Sequence, residues 1–174
     1  LQEAIADWEA NHEGQKLSDE EHVDLIFRGI SELVKTEGDF EVVATTTSAS
    51  TALVLAKRYH PDVIIMDMNM PEKDGLQAIQ EIEQLELGVK IIALSGYDDA
   101  DLIFRAMKLG AKGYILKTMA SAQLIFALDE VAQGKIYLPS ALTSRFFDFF
   151  QKTYKEKEDT QNNADNLLND LTAR

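Results

Sequence analysis

Cysteine is absent from all 174 residues. Its absence excludes disulfides, thiolate catalysis and cysteine-based metal sites. Histidine is scarce: His12, His22 and His60 are the only three, and none sits in a metal-ligand spacing. No apolar run reaches the ~20 residues of a membrane span. No signal-peptide pattern opens the chain, which starts without Met. Basic residues are outnumbered, 17 Lys and Arg against 30 Asp and Glu, for a formal net charge of -13. Nucleic-acid binding rests on neutralising phosphates with Lys and Arg, so a chain this acidic is a poor DNA or RNA ligand by itself. The same charge disfavours anionic membrane surfaces. The expectation is a soluble cytoplasmic protein recorded as a fragment.

What is present suits a folded domain. Hydrophobic residues make up 45% of the chain, enough for a core. Short apolar, β-branched runs alternate with helical periodicity. Candidate strands are Glu41–Thr45, Val63–Asp67, Lys90–Ser95 and Gly113–Lys117. The last three are nearly continuous apolar runs, as expected of parallel strands covered on both faces. Between them, Val23 to Val34, Leu53 to Ala56, Leu76 to Leu85, Leu102 to Leu109 and Ala122 to Val131 repeat at helical spacing. This alternation predicts an α/β fold with a doubly wound sheet. Leu1, Ala4, Ile5 and Trp8 mark an N-terminal helical extension over residues 1–18. The domain itself is placed at residues 19–138. Residues 139–174 read as a helix and linker. Pro139 opens the helix, and Phe146, Phe149, Phe150 and Tyr154 make it too apolar to stand free. It either packs on the domain or forms a homodimer contact. Lys155–Asn169 is polar and reads as a linker or solvated helix.

Ligands of a doubly wound sheet bind beyond the carboxyl ends of its strands. Three of the runs end there in chemistry-bearing residues: Asp67, Ser95 and Lys117. A carboxylate, a hydroxyl and an ammonium in one crevice, with Mg²⁺, suit phosphoryl transfer to a carboxylate. Each residue alone has an ordinary explanation, as a turn cap, a turn hydroxyl or a solvated strand-end charge. Together they carry a resemblance. Pro61 to Pro71 with Gly75 resembles the phosphorylation loop of response-regulator receiver domains. Ala93-Leu-Ser95-Gly96 resembles their switch-hydroxyl segment, and Gly110 to Lys117 their final strand. Lys117-Thr118, where many receivers have Lys-Pro, points to the NarL/LuxR-type subfamily.

The resemblance implies a flavodoxin-like (CheY-like) doubly wound parallel sheet. It implies Asp67 as phosphoacceptor, with Ser95 and Lys117 contacting the phosphoryl group. Ser95 and Tyr114 would form the switch, Tyr114 rotating inward as Ser95 moves. Mg²⁺ would sit on Asp67, Asp19, Glu20 and the backbone carbonyl of Asn69. Asn69 and Tyr97 would border the path of an attacking water. The implied partner is a sensor histidine kinase. DNA would be reached only through a C-terminal domain absent from this chain, since Leu171-Thr-Ala-Arg174 resembles the opening of the helix-turn-helix that follows such receivers. The function expected is a phosphorylation-driven switch of a transcription factor, not an enzyme. A phosphohydrolase would need a second Asp two residues past the nucleophile, where Asn69 stands. The alternative is a pseudo-receiver, an interaction module not controlled by phosphorylation.

The match breaks at one place. Receivers open on an apolar central strand ending in acids. Here Ser18-Asp-Glu-Glu-His22 holds the acids, but Asn11–Ser18 contains one large apolar residue, Leu17. That segment cannot read as a buried central strand. Gln15–Asp19 serves as a degenerate strand, another segment or a second copy of the chain fills the slot, or the sequence omits residues near Ser18. Without that strand, the strands at Glu41 and Val63 would lose a shared partner.

Overall fold

The computed structural model describes residues 19–37, 39–70 and 74–154, and for the first helix the side chains of residues 27–36. The expected extension over 1–18, the Pro71 turn and everything past residue 154 lie outside the described residues. The described elements are, in order, helix α1 (Asp19–Glu37) and α2 (Ala49–Tyr59), followed by β1 (Val63–Asp67), α3 (Gly75–Glu83) and β2 (Lys90–Ser95). They continue with α4 (Ala100–Lys108), β3 (Gly113–Leu116), a 3₁₀ turn (Lys117–Met119) and α5 (Ala120–Ala132). A further helix, α6, covers residues 140–154. Caps set the helix starts: Ser48, Asp74 and Asp99 stand at the N-caps of α2, α3 and α4, each side chain accepting a backbone N–H of the first turn.

The three strands form one parallel sheet in the order β1-β2-β3. Asp67 lies opposite Leu94, and Ser95 opposite Leu116, so all three strands finish at the same edge. Side chains alternate between two cores. Met66, Ile91, Ala93 and Tyr114 face one core with Ile79 and Ile82 of α3 and Ile103 of α4. Ile92, Leu94 and Ile115 face the other with Val34 of α1 and Leu124 and Leu128 of α5. Coverage on both faces explains why these strands read as unbroken apolar runs.

The expected strand Glu41–Thr45 is not formed. Residues 40–46 carry no regular secondary structure, and no backbone hydrogen bond joins them to β1 among the described residues. The cause lies at the edge of β1. The Lys90 N–H donates to the Asp62 carbonyl at 3.0 Å and the Met68 N–H to the Leu94 carbonyl at 2.9 Å. By the alternation of a parallel ladder, even-numbered residues of β1 therefore face β2. Val63, Ile65 and Asp67 turn their N–H and C=O the other way, into a groove of about 420 Å³. Phe27, Ile30 and Val34 of α1, together with Val42 and Ala44, line its apolar walls. A strand at Glu41 could form only against a neighbour in that groove, and the described residues supply none.

A second correction is smaller. Lys117 begins the 3₁₀ turn rather than ending β3, which stops at Leu116. The far edge of β3 is closed from beyond α5. The Tyr137 N–H donates to the Lys112 carbonyl at 2.8 Å, and the Tyr114 N–H donates to the Tyr137 carbonyl at 3.1 Å. The chain then enters α6, whose Leu142 is buried in the same core as Tyr114. As expected, α6 is partly buried: Phe146, Phe149 and Phe150 surround Phe104 of α4 at centroid distances of 5.4–6.1 Å.

Candidate functional site at the carboxyl edge of the sheet

Asp67 is the last residue of β1, and its carboxylate is only 10% exposed. Both oxygens are engaged. Oδ1 accepts the Asn69 N–H at 2.8 Å, and Oδ2 accepts Lys117 Nζ at 2.8 Å. The Asn69 contact is the Asx turn that an Asp makes two residues ahead. It fixes the carboxylate's orientation before any ligand arrives. Lys117 reaches Asp67 from the turn after β3, so the parallel register of the strands brings together residues 50 apart in sequence.

The loop after Asp67 is held by close packing. Asn69 forms an isolated bridge with Asp74, which caps α3 through the Leu76 N–H at 3.1 Å. Gly75 follows at once. A Cβ on Gly75 would lie 2.7 Å from the Met68 Cα and 3.0 Å from the Asp67 carbonyl oxygen. Only glycine lets α3 approach the end of β1 this closely. In the sequence, Gly75 also has the plainer reading of a turn residue. The structure gives it a packing role.

Ser95 ends β2 and is completely buried. Its Oγ accepts the Tyr97 N–H at 3.0 Å, and its hydroxyl is hydrogen-bonded to the Tyr114 side chain. The following loop lies against the Asp67 loop, with the Asn69 side-chain amide 4.0 Å from where a Gly96 Cβ would stand. Tyr114 sits beneath this loop, fully buried, and its OH donates to the Tyr97 carbonyl at 3.0 Å. Burial raises the Tyr114 pKa above the ordinary phenol value. The Ser95 hydroxyl works against that shift, and Asp99 and Asp98 add to it. The expected inward rotation of Tyr114 therefore has no outward starting point here, because the ring is already inside. Tyr97 is 60% exposed, so its ring stands in solvent and does not shield the carboxylate.

The structure thus brings Asp67, Asn69 and Lys117 into contact, and Ser95 and Tyr114 into one hydrogen-bonded relay through Tyr97. Asp19 and Glu20 open the first turn of α1, and their side chains lie outside the described residues. No group of three or more His, Asp or Glu that could hold a metal occurs among the described residues. Asp67 and the Asn69 carbonyl are hard oxygen donors of the kind Mg²⁺ takes. The remaining acids would have to come from the start of α1.

Comparison with known proteins matches this geometry. The family model for the response regulator receiver domain covers residues 8–129. The chain belongs to that family. The receiver is 37% identical over 134 residues to the transcriptional regulatory protein DegU of Brevibacillus brevis, covering 77% of this chain and 57% of DegU. It is 35% identical over 142 residues to the oxygen regulatory protein NreC of Staphylococcus aureus, covering 81% of this chain and 64% of NreC. The receiver therefore spans less than two thirds of either relative. Among solved structures, the signal receiver domain of NarL from Mycobacterium tuberculosis superposes with a TM-score of 0.62 at 28% identity, covering 64% of this chain and 90% of that one. A LuxR-family DNA-binding response regulator from Staphylococcus aureus gives 0.59 at 28% identity, covering 63% and 91%. These neighbours confirm the CheY-like fold. No helix of the described residues is long and apolar enough to cross a membrane.

Proposed function

We propose that this receiver accepts a phosphoryl group on Asp67 from a partner histidine kinase, in a Mg²⁺-dependent reaction that switches a transcription factor. The observation that carries the reading is the Asp67 carboxylate, nearly buried, pre-oriented by the Asn69 N–H and paired with Lys117 at 2.8 Å. In the transfer, a carboxylate oxygen forms a bond to phosphorus while the phosphorus–nitrogen bond to the donor histidine breaks and the imidazole takes up a proton. The carboxylate enters as an anion. Lys117 moves from the carboxylate to the incoming phosphoryl oxygens, and the Ser95 hydroxyl turns from Tyr114 to donate its proton to another of them. Asp67, the Asn69 carbonyl, Asp19 and Glu20 would hold Mg²⁺, which would supply charge neutralisation. DNA contact would belong to a further domain, a reading supported by the likeness to the DNA-binding LuxR-family response regulator of Staphylococcus aureus.

The open edge of β1 favours a second reading. The acids that would complete the metal site stand at a helix start, and no strand pairs with the free edge of β1 among the described residues. A pseudo-receiver, built on the same sheet and indifferent to phosphorylation, would tolerate this. The test is incubation with acetyl phosphate and Mg²⁺, followed by intact-mass measurement. One added phosphoryl group, absent in Asp67→Asn, supports the switch. An unmodified wild-type chain establishes the pseudo-receiver.

A further inference from the structure

The helix α6 is tied to the switch residues at two independent points. One is the backbone: the strand-like stretch leading into α6 bonds the main chain on both sides of Gly113, through the Lys112 carbonyl and the Tyr114 N–H. The other is Arg145, midway along α6. Its guanidinium donates to both the backbone carbonyl and the carboxylate of Asp98. Asp98 directly follows Tyr97, whose N–H binds Ser95 Oγ and whose carbonyl takes the Tyr114 OH. Leu142, 2% exposed, seats the helix in the Tyr114 core, and Phe146, Phe149 and Phe150 close over Phe104.

We propose that Arg145 is a positioning residue for phosphoryl binding. Through Asp98 it holds the 96–99 loop, whose Tyr97 N–H fixes the position of the Ser95 hydroxyl, and α6 docking and phosphorylation of Asp67 reinforce each other. The idea rests on the receiver reading above and adds its regulation. The apolar anchors supply most of the docking. Arg145 and Asp98 are each about half exposed, at 54% and 55%. Such a pair adds little stability by itself, but it decides which loop arrangement the docked helix favours. The relay has one member from each part: Arg145 on α6, Asp98 and Tyr97 on the loop, Ser95 on β2 and Tyr114 on β3. If helix docking favours the loop geometry that binds the phosphoryl group, phosphoryl binding must favour helix docking by the same factor. The segment that leads toward the rest of a longer chain would then be ordered by the chemistry at Asp67.

The test uses the full 174-residue chain with Mg²⁺ and beryllofluoride as phosphoryl mimic. Fluorine resonances report its binding, and hydrogen exchange reports α6. Beryllofluoride should slow exchange of the 140–154 amides severalfold. Arg145→Gln should weaken beryllofluoride about 2- to 5-fold, the range of an exposed pair, with Mg²⁺ affinity unchanged. Arg145→Lys should restore part of the loss, and Asp98→Asn should reproduce it without adding to Arg145→Gln. Absence of any bound-fluoride signal would overturn both the receiver reading and this one. Normal beryllofluoride binding with unchanged or faster exchange in α6, or equal affinity in Arg145→Gln, overturns the positioning role alone.

Discussion

Replacing Gly75 by alanine sets two opposed effects against each other beside Asp67. Gly75 is the first residue of α3, and alanine there should help the helix by up to about 1 kcal/mol. Against this, the new Cβ would stand 2.7 Å from the Met68 Cα and 3.0 Å from both the Asp67 carbonyl oxygen and Met68 Sδ. Carbon atoms prefer about 3.5–4.0 Å, so the Met68 contact falls roughly 1 Å short. Two of the three opposing atoms are backbone and cannot rotate away. Met68 is itself 6% exposed and packed in the core. Relief requires shifting α3 or the end of β1, and such overpacking costs about 1–3 kcal/mol. Gly75→Ala should therefore lose about 1–2 kcal/mol net, read as a lower urea midpoint with an unchanged slope. Because the shift is delivered to Asp67, phosphoryl uptake from acetyl phosphate should fall more than stability does. A midpoint equal to or above that of the parent would refute the close-approach argument and return Gly75 to the status of a turn residue.

Other outcomes follow from the same contacts. Lys117→Ala should still bind Mg²⁺, because the ammonium is not a metal ligand, while phosphoryl uptake falls by ~10²-fold for the loss of one charge stabiliser; Mg²⁺ titration and labelling of the two proteins check this. Leu142→Ala should cost about 2–5 kcal/mol in urea unfolding, the range for a buried core leucine, and a loss below 0.5 kcal/mol would show that α6 is not part of the folded unit. Burial raises the Tyr114 pKa, so the folded state holds that proton more tightly than the unfolded chain. Its contribution is complete below about pH 10 and is lost as pH rises through the folded value. Wild type should lose stability as pH rises above about 10, and Tyr114→Phe should lose less in thermal melts.

The parallel strands at Val63, Lys90 and Gly113 were legible because each is covered on both faces and so carries an apolar run with a functional residue at its end. Asp67, Ser95 and Lys117 could be placed at one edge for the same reason: parallel strands finish together. The run at Glu41 looks as strand-like as the others. Its fate was decided by what lies beside it. Strand formation is a property of pairs, and the outward N–H and C=O groups of Val63, Ile65 and Asp67 mark where the pair is incomplete. The role of Gly75 was not legible, because a glycine in a turn motif looks the same whether it supplies backbone freedom or absence of a Cβ. Arg145 and Asp98 lie 47 residues apart in stretches that read separately as a tail and a turn. Nothing in either stretch names the other. Only the return of Tyr137 to the edge of β3 aims α6 across α4, and that return depends on two main-chain hydrogen bonds that any side chain would permit. Side-chain patterns reveal which faces must be covered. Contacts made through the main chain leave no such pattern, and here they carry the link between the switch and the C-terminal helix.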